Sequence, residues 1–241
     1  MIGQKIISLS VVDSTNNYTA KLHSAHEIDH GAVILAENQS NGRGQRGTEW
    51  QSEPGKNLTF SFLLTDFNLS VMDQFRLNQL TSLALINALS DKNVEAKIKW
   101  PNDIYVGSDK IAGMLIENSV GSEGLKSSIV GVGLNINQSD FGKLKATSIK
   151  LQKDSDQNIH EVLFSIIYHF NELFDLLDQP ELLSSKYLEN LIGVKDSVTF
   201  SYNDSEFSGK VKELDEIGRI ILTADGKDHG PFSLKEVSFN I

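Results

Sequence analysis

The chain has 241 residues, of which 39% are hydrophobic and 22% charged, a composition typical of a globular protein with its own core. Its formal net charge of −10 argues against a protein that binds nucleic acid mainly through phosphate contacts, because those contacts need many lysines and arginines. The chain has no cysteine, which excludes disulfides and thiolate metal sites and suits a cytoplasmic location.

The first predicted elements are a strand over residues 5–12 and a short helix that begins after Asp13. Ser14, Thr15 and Asn16 stand at the start of this helix, where such residues commonly act as caps. The same position could instead receive the polar end of a ligand, because free N–H groups and hydroxyls meet there.

Residues 39–50 carry three glycines, two arginines and a tryptophan, shortly after a predicted buried strand over residues 32–36. The glycines let the backbone approach a ligand closely. Arg43 and Arg46 offer planar donor forks suited to phosphate or carboxylate, and Trp50 offers an aromatic face or a core anchor. The segment therefore predicts a site for an anionic ligand, with an ordinary solvated loop as the alternative. It is not a P-loop, since no Gly-Lys-Ser/Thr follows.

Residues 97–106 combine a strand pattern with polar residues. A short strand that contains Lys99 stops at the Trp-Pro pair, because proline cannot continue a central ladder. Asn102 and Asp103 follow and are typical turn residues. Beside the lysines, this pair could also orient a metal–phosphate group.

Two further predicted strands cover residues 110–117 and 129–137. The first begins with Lys110 and contains Gly113, and the second contains Gly133. Glycine weakens a strand and therefore indicates close approach by a ligand or another part of the chain.

The clearest amphipathic helix covers residues 159–178, whose apolar residues form one continuous stripe. After residue 193 the pattern changes to short strands separated by turns, with a last strand predicted over residues 231–239. We therefore predict two domains, 1–191 and 192–241, and expect the second to be a small β-barrel.

Taken in order, these segments resemble the biotin protein ligases. The matching motifs are Asp13-Ser14-Thr15-Asn16, Ala36-Glu37-Asn38-Gln39, Gly42-Arg43-Gly44-Gln45-Arg46-Gly47 with Trp50, Lys99-Trp100-Pro101-Asn102-Asp103, Lys110-Ile111-Ala112-Gly113 and Gly131-Val132-Gly133-Leu134-Asn135-Ile136-Asn137. The likeness is specific from residue 5 to about residue 140 and looser beyond. It implies an α+β fold, with a mixed β-sheet catalytic domain of the class II aminoacyl-tRNA synthetase and biotin protein ligase type and a small C-terminal SH3-like β-barrel.

The resemblance also implies a two-step reaction. Biotin and Mg²⁺-bound ATP form biotinyl-5′-AMP and pyrophosphate, and a lysine of a biotin carboxyl carrier domain then takes the biotinyl group. The expected ligands are therefore biotin as substrate, ATP and Mg²⁺. Cations must offset the repulsion between a carboxylate and a triphosphate, and Arg43 and Lys110 are the expected catalytic residues.

The remaining site residues are also implied by the resemblance. Those expected to bind biotin are Ser14, Thr15, Asn16, Gln39, Arg43, Gly44, Gln45, Lys110, Gly113 and Gly133. Those expected to bind the nucleotide are Arg43, Arg46, Trp50, Lys99, Asn102, Asp103, Lys110 and Asn135. The small residues Gly113, Gly131 and Gly133 are expected to leave room for the rings and tail of biotin, and no metal-binding residue is assigned.

Two departures from the family pattern carry expectations of their own. Gln45 stands where many relatives have an arginine that helps hold the adenylate, so we expect weaker retention of biotinyl-AMP. Some relatives have an N-terminal DNA-binding domain, whereas here the first catalytic strand begins within ten residues of Met1. With the acidic charge, this predicts no DNA binding and no repressor activity.

Other expectations concern partners and competing functions. No segment approaches the roughly 20 apolar residues of a membrane span, and residues 1–6 do not begin a signal peptide, so no membrane association is expected. The protein is expected to be a monomer or a homodimer. The competing functions are a lipoate-type acyl-adenylate ligase, a non-catalytic biotin sensor and a nucleotide- or RNA-binding α/β domain.

Overall fold

The computed structural model describes residues 1–122, 124–203, 205–234 and 236–241, with every side chain in these ranges except that of Arg46. Two β-sheets contain the strands of this part of the chain. The first sheet consists of β1 Ile6–Val12, β2 Val33–Gln39, β3 Leu58–Leu64, β4 Lys97–Lys99, β5 Asp103–Val106, β6 Asp109–Gly121 and β7 Gly124–Leu134. The second consists of β8 Val198–Tyr202, β9 Ser205–Leu214, β10 Ile220–Ala224, β11 Lys227–Phe232 and β12 Ser238–Asn240. The helices are α1 Thr15–Ser24, α2 Phe75–Asp91, α3 Ile149–Lys153, α4 Ile159–Leu173 and α5 Pro180–Glu189.

The first sheet is mixed, and this confirms the predicted α+β fold class. Its strand order is β1-β2-β3-β7-β6-β5-β4. β1 and β2 are parallel neighbours joined through α1, as a parallel pair requires a crossover. All other neighbouring pairs are antiparallel.

The two faces of this sheet differ because side chains alternate along each strand. On β7, Val130, Val132 and Leu134 belong to the main core, which also contains the buried residues of α2 and α4. Ile129 belongs to a second, smaller cluster with residues of α1 and β2. By the same alternation, Gly131 and Gly133 lie on the face of Ile129. That face is covered by α1 at one end and has a floor of small residues at the other.

The predicted amphipathic helix is present but shorter than expected. Its stripe of Val162, Leu163, Ile166, Ile167 and Phe170 is buried on α4. Its start is capped by Asn158, whose side-chain oxygen accepts hydrogen bonds from the N–H groups of residues 160 and 161. Residues 174–178 continue as a 3₁₀ turn. No helix in the described ranges is long and apolar enough to cross a membrane.

The second sheet is antiparallel with the order β11-β10-β9-β8-β12. We expected a small β-barrel here; among the described residues the five strands form one sheet whose end strands β11 and β12 do not pair with each other. Phe200 is fully buried, and its ring lies against those of Phe207 and Phe239. The strand predicted over residues 231–239 is wrong, because the N–H of Glu236 bonds to the carbonyl of Ser233 and this turn separates β11 from β12.

The second sheet contacts the first at the Trp-Pro turn. Trp100 Nε1 donates a buried hydrogen bond of 3.0 Å to the carbonyl oxygen of Gly218, in the connection between β9 and β10. Gly218 also lies against the ring of Phe75, so closely that any side chain there would overlap it. Leu234, Val237, Ser238 and Phe239 then reach the cavity described next.

Candidate active site

A cavity of about 520 Å³ lies on the small-residue face of the first sheet. Residues of β6 and β7 line it together with the start of α1, the loop after β2, the turn between β4 and β5, and part of the second sheet. Its volume is typical of sites for small molecules. All the expected site residues line it except Arg46, whose side chain lies outside the described part of the chain.

The start of α1 is held by a partner from another strand. Ser14 is the N-cap residue, yet in the described structure its side chain makes no capping hydrogen bond. Instead Gln39 Oε1 accepts from the backbone N–H of Thr15 at 2.8 Å and from its hydroxyl at 3.1 Å. The simple capping interpretation is therefore wrong for Ser14, whose side chain is buried at the cavity wall.

Asn16 is fixed on both sides of its amide group. Its Nδ2 donates to the carbonyl oxygen of Leu115 at 3.2 Å and to Glu117 Oε2 at 2.8 Å, and the hydroxyl of Ser61 lies 2.6 Å from its Oδ1. A methyl group on Gly131 would overlap this amide. Gly131 therefore makes room for Asn16 rather than for a ligand, and Asn16 has only its oxygen left to offer one.

The arginine of the glycine-rich loop is paired with a carboxylate from β6. Arg43 Nη2 lies 2.6 Å from Glu117 Oε1, and Arg43 Nη1 donates to Glu117 Oε2 at 3.2 Å and to Asn17 Oδ1 at 2.6 Å. The two charged side chains are 39% and 37% exposed. Arg43 thus stands at the cavity with one edge of its guanidinium group already bonded to protein.

The glycine-rich loop folds back on itself. The N–H of Trp50 donates to the carbonyl of Gly42 at 3.0 Å, and the N–H of Gly44 donates to that of Thr48 at 2.7 Å. Residues 45–47 form a 3₁₀ turn between these bonds, and Gln45 is half-buried at the cavity. Both glycines are tightly enclosed, so a side chain at either would strike the facing backbone or Thr48.

Trp50 closes over the floor of the cavity. A methyl group on Gly133 would overlap the indole ring, and the Lys110 ammonium lies 5.7 Å from the ring centre. The indole Nε1 is buried without a hydrogen-bond partner in the described structure. We expected Gly133 to leave space for biotin, but Trp50 fills that space here.

Lysines and one carboxylate form the cationic part of the cavity. Lys110 Nζ lies 2.6 Å from Asp103 Oδ1, directly beside Gly113. Lys99 Nζ lies 5.0 Å from the centre of the Tyr105 ring. Burial lowers the pKa of Lys99. The positive charges of Lys110 and Lys145 lower this pKa further, whereas the negative charge of Asp103 raises it. Burial also raises the pKa of Tyr105 to about 12, so its hydroxyl is neutral near pH 7.

Asn102 and Asn135 hold the chain around these lysines. Asn102 Nδ2 donates to the carbonyl of Met114 at 2.6 Å, and Asn135 Nδ2 donates to that of Thr147 at 3.0 Å. Both side chains are buried and both line the cavity. Their first role is therefore structural, which leaves their side-chain oxygens as the atoms that could face a ligand.

Sequence reasoning missed several residues of the site. Glu117 lies four residues after Gly113 on the same strand face, and this spacing was the available signal. Glu117 lies behind Asn16 and Arg43 and does not line the cavity, whereas Tyr105 and Lys145 do. Residues between β11 and β12 and in β12 line it as well, namely Leu234, Val237, Ser238 and Phe239. Nothing in the local sequence indicates that the second sheet reaches the cavity, because its position depends on the Trp100–Gly218 contact. Among the described residues, no group of three or more His, Asp or Glu side chains is placed to hold a metal ion.

Comparison with known proteins adds four findings. A model of the "Biotin/lipoate A/B protein ligase family" matches residues 8–135. The chain is 27% identical over 234 residues to the "Bifunctional ligase/repressor BirA" of Bacillus spizizenii, covering 92% of this chain and 70% of that protein. It is 34% identical over 131 residues to the "Biotin--[acetyl-CoA-carboxylase] ligase" of Paracoccus denitrificans, covering 53% of each. In structure it is similar to the biotin protein ligase of Aquifex aeolicus solved in complex with biotin and ATP, with a TM-score of 0.80, 24% identity and 99% coverage of both chains.

Proposed function

The chain belongs to the biotin/lipoate A/B protein ligase family and is an enzyme of the biotin protein ligase type, and from this premise we propose that it joins biotin to a lysine of a biotin carboxyl carrier domain. The observation that carries the proposal is the cavity. It combines hydroxyl and amide groups at the start of α1 with the cations Arg43, Lys99 and Lys110. A ligand pair with an uncharged polar ring, a carboxylate and a triphosphate matches that combination.

In the proposed first step, a carboxylate oxygen of biotin attacks the α-phosphorus of ATP, and pyrophosphate leaves as the bond to the β-phosphate breaks. Both reactants are anions, so fixed cations lower the barrier by offsetting their repulsion and the charge that develops in the transition state. Lys110 is proposed to contact the carboxylate and the α-phosphate together, because Asp103 and Trp50 hold its ammonium group at the floor of the cavity. Arg43 is proposed to contact the same anionic centre from the loop.

The other residues divide between two subsites. The proposed biotin subsite consists of Ser14, Thr15, Asn16, Gln39, Arg43, Gly44, Gln45, Lys110, Gly113 and Gly133. The proposed nucleotide subsite consists of Arg43, Arg46, Trp50, Lys99, Asn102, Asp103, Lys110 and Asn135. Binding of biotin over Gly133 requires the Trp50 ring to move, since that ring now lies on the glycine.

Mg²⁺ is proposed to enter with ATP. Mg²⁺ is usually held by one or two carboxylates together with substrate phosphates and waters, and the carboxylates that line this cavity are Asp103 and Glu49. Asp103 fits this requirement because it lies among the lysines of the nucleotide subsite. The ion would supply further neutralisation of the phosphate charge.

In the proposed second step, the ε-amine of a carrier lysine attacks the carbonyl carbon of biotinyl-5′-AMP. AMP leaves, the nitrogen loses a proton and an amide bond remains. The cavity opening must therefore admit an extended lysine side chain. Lys110 and Arg43, which are proposed to contact the α-phosphate in the first step, would also stabilise the phosphate of AMP as it leaves in the second.

The proposal extends to the rest of the chain. Residues 1–191 are proposed as the catalytic domain and 192–241 as the C-terminal SH3-like domain, since each contains one of the two sheets. The relatives named ligase/repressor raise the question of DNA binding, and the charge of −10 supports our proposal that this chain does not repress transcription. We propose a cytoplasmic monomer or homodimer.

The decisive experiment is ATP–pyrophosphate exchange with biotin and, separately, with lipoate. Exchange that requires biotin, followed by transfer of biotin to a purified carrier domain, is the expected result. A Lys110→Gln variant should lose exchange, whereas Lys143→Gln, which changes an exposed lysine outside the cavity, should retain it. Exchange only with lipoate would favour a lipoate ligase. Biotin binding without exchange would favour a sensor, and either result would refute the proposal.

A further inference from the structure

Glu117 connects the two parts of the site that the proposed function uses. One carboxylate oxygen, Oε2, accepts from both Asn16 Nδ2 and Arg43 Nη1, and the other, Oε1, accepts from Arg43 Nη2. Asn16 belongs to α1 and Arg43 to the loop after β2. Glu117 therefore links two segments that are distant from each other along the chain. Glu117 itself does not line the cavity and therefore acts through its partners.

The pairing leaves one edge of the guanidinium group available. Arg43 has five N–H donors. Glu117 takes one from each terminal nitrogen, and Asn17 takes the second N–H of Nη1. The Nε–H and the outer N–H of Nη2 have no partner in the described structure, and they lie on the same edge of the planar group. Such a pair of parallel donors matches two oxygens of a phosphate or carboxylate.

We propose that Glu117 is a positioning residue that holds Arg43 by one edge and so presents the opposite edge to the anionic centre of biotinyl-5′-AMP. The proposal rests on the proposed function and assigns to Glu117 a role in retaining the adenylate. Asn17 assists from the other side. The same carboxylate keeps Asn16 in place, so the position of the biotin subsite and the orientation of the arginine depend on one group.

Two opposing effects follow from removing the carboxylate charge. The attraction within an exposed ion pair is small. Loss of the negative charge of Glu117 therefore strengthens the attraction between Arg43 and an anionic ligand only slightly. Without the two hydrogen bonds to Glu117, the Arg43 side chain can occupy many rotamers. The conformational entropy that it gains must be lost again when the ligand binds. We therefore expect orientation to dominate and ligand binding to weaken in a Glu117→Gln variant.

The test is a double-mutant cycle on Glu117 and Arg43. The measured quantities are the dissociation rate of preformed biotinyl-5′-AMP and the affinity for ATP alone by calorimetry. Glu117→Gln is expected to raise the dissociation rate about tenfold, the size expected for losing a charge-assisted hydrogen bond. In an Arg43→Ala background the same substitution should leave the affinity for ATP unchanged and should raise the dissociation rate of the adenylate much less, since only the bond to Asn16 then remains.

The control is Glu53→Gln, which removes the same charge from an exposed residue that does not line the cavity and is expected to leave both quantities unchanged. Tighter ATP binding by Glu117→Gln would mean that the carboxylate competes with the ligand, and would overturn the proposal. An equal effect of Glu117→Gln with and without Arg43 would also overturn it, because Glu117 would then act through Asn16 or the fold alone.

The measurement of affinity for ATP alone allows the role of Glu117 to be tested separately from the proposed function. A wild-type protein that binds ATP without biotin-dependent exchange refutes the ligase reaction, while the cycle on ATP affinity still decides the role of Glu117. A wild-type protein that binds neither ATP nor biotin refutes both.

Discussion

Trp50 and Gly133 are in direct contact, with the indole ring lying so close to the glycine that a single added methyl group would overlap it. The ring also has a buried Nε1 without a partner in the described structure, an arrangement that carries a cost in free energy. We therefore expect the Trp50 side chain to move when a ligand binds, so that its Nε1 can donate to a hydrogen-bond acceptor of that ligand.

Gly133→Ala should displace Trp50 from the floor of the cavity. We expect a loss of about 1–3 kcal/mol in the free energy of unfolding, typical of overpacking, and a weaker affinity for ATP. Thermal unfolding and calorimetry measure the two effects. Gly121→Ala is the matched control, since a methyl there makes only an ordinary contact with Lys126 at 3.7 Å. Unchanged ATP affinity in Gly133→Ala would show that Trp50 does not serve the nucleotide.

Gly131→Ala should act on the biotin subsite instead. The added methyl group would overlap the amide of Asn16 and break its bonds to Leu115 and Glu117. We expect the KM for biotin to rise about tenfold, the effect of losing one to two hydrogen bonds, with a smaller change in the KM for ATP. Steady-state exchange kinetics give both constants, and an equal rise in the two would contradict a specific role in biotin binding.

Lys145→Ala should weaken ATP binding. Lys145 lines the cavity, and its charge contributes to the lowered pKa of Lys99, so both lysines face the same region. We expect the KM for ATP to rise about threefold to tenfold, as for a partly exposed charged contact, with the KM for biotin unchanged. Lys143→Ala removes an exposed charge two residues away and outside the cavity, and a similar rise in that variant would mean that only long-range charge is involved.

Gln45→Arg should prolong retention of the adenylate. Gln45 lies at the cavity beside Arg43 and Gly44, and an arginine there adds a donor fork near the phosphate. We expect biotinyl-5′-AMP to dissociate about tenfold more slowly, as measured by release of labelled adenylate from the isolated complex. Equal dissociation rates in the variant and the wild type would refute the view that Gln45 weakens retention.

Stability should fall in mild acid because of His30. Its Nδ1 accepts hydrogen bonds from the N–H groups of Thr65 and Asp66 at 3.2 and 3.0 Å, a role open only to the neutral ring. Burial, with a smaller contribution from the N-terminal ammonium group, lowers the pKa of His30, while Asp66 opposes the shift. The unfolded chain, whose histidines have a pKa near about 6.5, therefore takes up the proton first. The free energy of unfolding should decrease as the pH drops below about 6.5 and stop decreasing below the folded-state pKa.

The measurement is the unfolding midpoint between about pH 8 and about pH 5, the range in which histidine titrates. His30→Asn, which keeps an acceptor but cannot be protonated, should reduce the slope of the midpoint against pH. The exposed His160 provides the control through His160→Asn, expected to leave the slope as in the wild type. An unchanged slope in His30→Asn would assign the acid sensitivity to other groups.

Much of the fold and of the site followed from local patterns. The strand patterns of residues 110–117 and 129–137 and the apolar stripe of α4 are set by side chains within each segment, and the structure has β6, β7 and α4 there, with α4 ending earlier than predicted. The last predicted strand was wrong, since the turn that interrupts it depends on contacts outside the local pattern. Similarly, the ordered motifs from Ser14 to Asn135 were sufficient to name many of the residues that line one cavity.

The sequence by itself determined the family, the mixed sheet and many of the residues around the cavity, because these depend on residue type, spacing and order along the chain. Only the tertiary structure decided what those residues touch. Glu117 meets Asn16 across 101 residues and Arg43 across 74, and Gly131 and Gly133 receive side chains from α1 and the loop rather than open space. Such contacts follow from how separate segments pack against one sheet face, and a carboxylate or a glycine carries no local signal of which distant side chain it will meet.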